Sequence, residues 1–369
     1  MDEPGHVLST LQKQLAISLS TIAGLLQDNG VSDIYIDGAD KIYVKYRDGR
    51  LEYKRKLNFE SEQHLETLAE LLARANHIEL RQDQPFLDTV FDRQRINVVV
   101  NPVYPPGTCI TIRKLPRKQL KGEDLVRLGS ISADGLFILQ MAVKLGKRIL
   151  IVGETGSGKT TLLNILCRFI DKSFGRVITI EDTRELFFDH PFLVPLVVPA
   201  DHDGDRGSRF QRILINSLRM DPAWTILGEI RGAEAVTLLD SFICHPGMAT
   251  LHARGALEAI TRLKTILCCH SRINTDLAEG NIFQAVDLVV FVKRHLDNCR
   301  RVVHMAELFF ESGEKKIRNL FGYNSNDGQF VRLNRPGFWD ELSPGQLLAF
   351  RQEVGLYPSE STEKSHENQ

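Results

Sequence analysis

The run GETGSGKTT comprises Gly153, Glu154, Thr155, Gly156, Ser157, Gly158, Lys159, Thr160 and Thr161, and it fits G-x-x-x-x-G-K-[ST] with Gly153, Gly158, Lys159 and Thr160 in register. The chemistry of that spacing is phosphate binding. Glycines permit a tight curl whose backbone N–H groups point inward, and a helix N-terminus behind the curl adds partial positive charge. Lys159 then offers a point charge to β- and γ-phosphates, and the Thr160 hydroxyl is placed as a ligand for Mg²⁺. The apolar RILIV before the run and TLLNILCRFI after it predict a strand and a helix. That context separates a phosphate cradle from a flexible glycine turn.

A cradle binds nucleotide without hydrolysing it. Hydrolysis also needs a carboxylate for the metal and a group that orients water, and in a parallel sheet both belong at the C-terminal strand ends, where ligands sit. RVITIEDTREL delivers Glu181 and Asp182 to such an end, and WTILGEIRG delivers Glu229. The metal set expected from these segments is Thr160, Asp182 and Glu229. In isolation each carboxylate reads equally as a surface group at a strand terminus. His252, in GMATLHARGALEAITRL, follows another short strand and opens a helix. It is either a satisfied structural histidine or a γ-phosphate sensor in contact with a catalytic carboxylate.

Two domains are expected to position these groups. Residues 1–115 read as an α+β domain. An amphipathic helix from Val7 to Leu26 precedes hairpin-linked strands in DIYID, KIYVKY and LEYKRKL, a helix in SEQHLETLAELLARAN, and further strands ending in CITIRK. Residues 116–132, charged and weakly periodic, read as a linker. From 133 to 356 short Val- and Ile-rich runs alternate with helical stretches, the pattern of an α/β domain with a mainly parallel sheet covered on both faces. Residues 357–369 have no apolar face and are expected to be disordered. Val198 to Gln211, rich in Gly and charge, is expected to be a loop.

Composition narrows the class. The 369 residues are 43% hydrophobic and 25% charged, and 46 Lys and Arg face 47 Asp and Glu. That balance excludes neither enzyme nor motor but argues against a sequence-specific duplex-DNA binder. No apolar run approaches the roughly 20 residues that span a bilayer, and the N-terminus lacks a secretory pattern, so a cytoplasmic protein is expected. The six cysteines show no metal-ligand spacing and read as reduced thiols. Lys41, Lys45, Arg47, Arg50, Lys54, Arg55 and Lys56 lie close to Tyr43, Tyr46 and Tyr53. They form either a solvated hairpin face or a peripheral contact with a membrane or membrane subunits.

The ordered segments GETGSGKTT, ITIEDTREL, LRMDPAWTILGEIRGAEA and HPGMATLHA resemble the phosphate loop, Asp box, Walker B segment and His box of the secretion-superfamily traffic ATPases. Within that superfamily the chain is most similar to the hexameric ATPases of type IV secretion and conjugation systems, over roughly Asp33 to Val331. The resemblance implies a RecA-like P-loop ATPase domain, an N-terminal domain that clamps the nucleotide, and a homo-oligomeric ring with ATP at the domain seam. It further implies ATP and Mg²⁺ as ligands, hydrolysis coupled to pilus assembly or substrate export, and partner subunits at the inner membrane. Glu181 and Asp182 fill the Asp box, Glu229 the Walker B position and His252 the His box. Arg113 of ITIRK matches an N-terminal-domain arginine that reaches the phosphates, and Arg219 and Arg231 are further phosphate-side candidates. Which of Glu181 and Glu229 orients water stays open. The tetracysteine zinc module of the type II branch is absent. A RecA-like helicase or DNA translocase is the alternative, and a nucleotide-gated assembly module without turnover is a third reading.

Overall fold

The computed structural model describes residues 10–76, 78–91, 94–114, 120–198, 206–343 and 345–347. The chain divides near Leu120 into two compact units.

The first unit contains α1 (Thr10–Ser18), α2 (Ala23–Gln27), β1 (Val31–Asp37), β2 (Ile42–Tyr46), β3 (Leu51–Tyr53), α3 (Glu62–Ala75), β4 (Phe86–Phe91), β5 (Gln94–Val100) and β6 (Thr108–Lys114). Its strands form one antiparallel sheet in the order β3-β2-β1-β6-β5-β4. Alternate residues such as Ile34, Ile36, Val98, Ile110 and Ile112 turn to a core shared with Leu65, Leu68 and Leu72 of α3. Intervening residues such as Asp37, Asn97, Thr111 and Arg113 are polar, so this sheet buries one face. Ser61 caps α3 by accepting the His64 N–H at 3.2 Å. The helix expected over Val7 to Leu26 is interrupted: a 3₁₀ turn at Ser20–Ile22 separates α1 from α2. Ser18, Ser20 and Thr21 carry hydroxyls that compete with the helical backbone, which explains the break.

The second unit contains α4 (Gly122–Arg127), α5 (Ala133–Lys144), β7 (Ile149–Val152), α6 (Lys159–Cys167), β8 (Arg176–Glu181), β9 (Leu193–Val197), α7 (Arg206–Ser217), β10 (Pro222–Ile230), α8 (Glu234–Cys244) and β11 (Gly247–Leu251). It continues with α9 (Ala256–Ser271), α10 (Thr275–Ala285), β12 (Leu288–Arg294), β13 (Arg300–Glu311), β14 (Glu314–Asn324) and β15 (Gln329–Arg332). The nine strands run β15-β14-β13-β12-β7-β11-β10-β8-β9. From β12 to β9 every pairing is parallel. From β12 to β15 every pairing is antiparallel, an extension absent from the sequence reading. The β13–β14 hairpin turns on Ser312 and Gly313, both with positive φ, as a two-residue turn requires.

The parallel strands are buried on both faces. Ile149 and Ile151 of β7 pack with α5 and α6, whereas Leu150 and Val152 pack with α8, α9 and α10. All four are 0–1% exposed, and burial of each such side chain contributes about 1.5–3 kcal/mol. Their function is to fix the position of the loop that follows. Two expectations need correction. The stretch 116–132 is more than a linker: α4 lies inside it, with Gly122 and Leu125 buried, the latter in the second unit's core. The loop expected over Val198 to Gln211 becomes helix α7 from Arg206, because Phe210 and Leu214 supply a buried face. The predicted tail lies outside the described residues.

Candidate phosphate site

The loop between β7 and α6 is curled by its glycines. Gly156 and Gly158 have φ of 75° and 102°, a region costly for residues with a Cβ. Gly153 is required for another reason: a Cβ there would lie 2.3 Å from the Val292 carbonyl oxygen and 2.4 Å from Ser157 Oγ. Ser157 is 1% exposed, and its Oγ has no hydrogen-bond partner among the described residues. A buried hydroxyl left unsatisfied inside a curl of N–H groups is a donor for an incoming anion. Thr160 stands half-buried in the first turn of α6, and Glu154, Thr155 and Thr161 are exposed around the rim.

Lys159 is 7% exposed. Its ammonium donates to the Gly153 carbonyl at 2.9 Å, the Glu154 carbonyl at 3.1 Å and His252 Nδ1 at 3.2 Å. An ammonium can only donate, so Nδ1 is the accepting nitrogen and the proton of a neutral imidazole sits on Nε2. His252 Nε2 faces Glu229 Oε1, which is the direction that tautomer requires. Burial, then the Lys159 charge, hold the His252 pKa below its ordinary value. Burial also lowers that of Lys159.

The chain of contacts continues. Arg231 Nε donates to Glu229 Oε2 at 2.6 Å, and Arg231 Nη1 lies 3.5 Å from Asp182 Oδ2. Both Glu229 oxygens are therefore engaged. Glu181, 3% exposed, accepts the Leu186 N–H at 3.0 Å. The sheet thus brings Lys159, Glu181, Asp182, Glu229, Arg231 and His252 together, because β7, β8, β10 and β11 are parallel and all end at this edge.

Two predicted residues, Arg219 and Arg113, belong to other elements. Arg219 is exposed in a 3₁₀ turn before β10, at the opposite end of that strand from Glu229. Seven strand residues, Pro222 to Gly228, lie between them, roughly 23 Å at about 3.3 Å per residue, so within one chain Arg219 is not part of this constellation. Arg113 belongs to β6 of the first unit, where it donates to the buried Asp33 carboxylate at 2.9 Å as its cross-strand partner.

Other residues at the edge were not anticipated. Glu234, 1% exposed, accepts the Arg231 and Gly232 N–H groups and shapes the turn after β10. Arg254 bonds Glu154 Oε1 at 2.9 Å, Arg262 bonds the His252 carbonyl at 2.8 Å, and Arg300 bonds the Gly156 carbonyl at 3.0 Å. Arg254 was within reach of sequence reading, two residues after His252. Arg300 arrives by hairpin register, which no local motif encodes.

The donor set fits Mg²⁺. Among the described residues no cluster of three His, Cys, Asp or Glu side chains forms a ready cage. Mg²⁺ does not need one, since it keeps several waters and takes its other ligands from one or two carboxylates and substrate phosphates. Thr160, Asp182 and Glu229 carry the oxygens that would supply them.

A parallel sheet that presents a glycine–lysine loop beside acidic strand ends is the architecture of the phosphate-loop nucleotide-binding proteins. The model of the Type II/IV secretion system protein family matches residues 16–328, and the chain belongs to that family. It is 27% identical over 370 residues to the type IV secretion system protein VirB11 of Bartonella henselae, covering 88% of this chain and 100% of that one. It is 32% identical over 273 residues to the type IV secretion system protein PtlH of Bordetella pertussis, covering 65% of this chain and 80% of that one. The fold is shared with the ATPase DotB of Legionella pneumophila, at a TM-score of 0.57 and 20% identity over 96% of this chain and 90% of that one. It is likewise shared with the pilus retraction motor PilT bound to ADP, at a TM-score of 0.57 and 20% identity over 92% and 89% of the two chains.

Proposed function

We propose that this protein is a RecA-like, Mg²⁺-dependent ATPase whose turnover drives macromolecular transport in a type IV secretion or conjugation machine. The observation that carries the reading is the continuous contact chain Lys159–His252–Glu229–Arg231–Asp182, which ties the phosphate loop to the acidic ends of two neighbouring strands. Family membership supports the transport role.

The sequence of events follows from which contacts must be exchanged. All three Lys159 donors are used on two carbonyls and an imidazole, so a triphosphate entering the loop takes Lys159 away from at least one of them. When His252 Nδ1 is released, the imidazole is free to turn, and its hold on Glu229 loosens. Glu229 then exposes a carboxylate oxygen beside the phosphates, where it accepts a hydrogen bond from the attacking water. Mg²⁺, when bound, neutralises charge on the phosphate oxygens. Arg231 remains on the acidic side and keeps Glu229 and Asp182 from repelling the incoming anion. Glu181, held by the Leu186 N–H, shapes the chain after β8, which makes Glu229 the stronger choice for orienting water.

Arg113 takes the role of a phosphate-side cation in this reading, and its replacement by alanine slows hydrolysis. The protein works as a homo-oligomer, with a hexamer the expected ring, against inner-membrane subunits on the cytoplasmic side. Among the described residues no helix is long and apolar enough to cross a membrane. The basic hairpin is a weaker candidate for membrane contact, because Lys54 bonds Glu52 and Tyr46, and Arg50 stacks over Tyr46.

The test is phosphate release from Mg-ATP by the wild type, Glu229→Gln and Glu181→Gln. Glu229→Gln is expected to retain ATP and lose about 10²- to 10⁴-fold in turnover, the range of a positioned acid–base group. Wild-type turnover in that variant, or a larger loss in Glu181→Gln, rejects the assignment. Large stimulation by nucleic acid would favour the translocase alternative.

A further inference from the structure

The hairpin between β12 and β13 carries charge that the chain itself does not neutralise. Its sequence, KRHLDNCRR from Lys293 to Arg301, has four cations and a single carboxylate, Asp297. That carboxylate is spent on Arg301, through bonds of 3.1 and 2.7 Å that hold its pKa down to about 2, with the Cys299 N–H as a second cause. Arg294 and Arg300 stand directly opposite one another in the antiparallel register. Like charges in that relation destabilise a sheet. Among the described residues the Arg294 side chain bonds only the neutral Asn298 side chain, at 2.8 Å, and the Arg300 side chain only the Gly156 carbonyl. Neither has an ion pair among the described residues. Desolvation, and then the charge of Arg294, lower the Arg300 pKa, as expected for a cation facing another cation.

The location gives this repulsion a use. β12 runs parallel to β7, with Phe291 level with Val152, so Arg294 emerges at the same edge as the phosphate loop. The Val292 carbonyl abuts Gly153, and the Arg300 side chain lies over Gly158, where an added Cβ would meet its Cδ at 3.0 Å. Glu154, the acidic residue of the loop, is already bonded to Arg254.

We propose that Arg294 and Arg300 form a cationic rim of the phosphate loop that takes an anionic oxygen of the bound nucleotide's phosphate chain. This rests on the ATP-binding reading above. The rim is paid for in the empty protein by mutual repulsion, which the phosphate chain relieves.

The proposal makes two effects of opposite sign. Arg294→Gln removes the repulsion without touching the loop, so the nucleotide-free protein should melt higher than wild type, while its affinity for ATP falls by about 3- to 10-fold. Arg300→Gln should weaken ATP binding at least as much, and Arg300→Lys should recover most of the loss. Inorganic tripolyphosphate should lose affinity with ATP, and adenosine should not. Calorimetric titration of wild type and variants, with Tm measured on the same samples, reads all of these. A lower nucleotide-free Tm in Arg294→Gln with unchanged ATP affinity overturns the rim, as does an equal loss for adenosine. Lys159→Ala is the control: if wild type and Lys159→Ala bind ATP alike, the ATP reading itself fails, whereas a defect in Lys159→Ala with none in the rim variants removes only the rim.

Discussion

β7 and β12 lie side by side in the sheet, and a charged cluster sits at each end of the pair. Before the strands begin, Arg148 donates through Nε to Asp287 at 2.7 Å, through Nη2 to the other Asp287 oxygen at 2.5 Å, and through Nη1 to the Phe242 and Gln284 carbonyls. Every guanidinium nitrogen is bonded, and the Asp287 contact raises the arginine's pKa. At the other end the Lys159 ammonium is equally buried in bonds, yet all three partners are uncharged. A cation matched by its own carboxylate is structural. A cation held by carbonyls and a neutral imidazole exchanges them readily for a phosphate.

That contrast is tested most strongly at Lys159. Lys159→Ala should lose about 2–5 kcal/mol of ATP affinity, roughly 30- to 5,000-fold, without lowering the nucleotide-free Tm. Affinity retained on titration would put Lys159 in the same class as Arg148. The reciprocal variant is Arg148→Ala, which strands Asp287 and should cost about 3 kcal/mol of stability in denaturant unfolding. Its folded fraction should bind ATP like wild type, and a selective loss of binding would erase the distinction between the two ends.

Gly153→Ala probes the ground beneath the loop. Its methyl group collides with the Val292 carbonyl, so about 1–3 kcal/mol of stability should be lost together with phosphate affinity. A variant with wild-type Tm and affinity would show that the loop does not depend on this close approach. The smallest effect is a slope in pH. His252 titrates below the ordinary histidine value of about 6.5, so between that value and the lowered one the unfolded chain binds more protons than the folded chain. Stability from this group is complete above the window and declines as pH falls through it. His252→Gln should flatten the Tm profile on the acid side of pH about 6.5, and an unaltered profile would remove the neutral imidazole from the account.

Much of the site was legible because its parts are local. A glycine–lysine loop, two acidic strand ends and a histidine after a strand each sit within one short segment, and parallel pairing alone brings those segments to one edge. What escaped the sequence depended on pairing at a distance. Arg300 reaches Gly156 because β13 returns antiparallel to β12, and the run VVHMAELFF does not say which neighbour it will choose. Arg219, a phosphate-side candidate by resemblance, lies at the opposite end of β10 from Glu229 within one chain, a separation that only the extended strand between them reveals. In the first unit, the apolar spacing of Val7 to Leu26 promised one helix, and hydroxyls at Ser18, Ser20 and Thr21 divided it.

The two-residue turn at Ser312 and Gly313 offers a practical handle. β13 carries the chain roughly 35 Å away from Arg300, at about 3.3 Å per residue, and reverses on residues that already adopt left-handed backbone angles. A dye or short tag grafted there would report on assembly from the far rim of the sheet and leave nucleotide chemistry undisturbed.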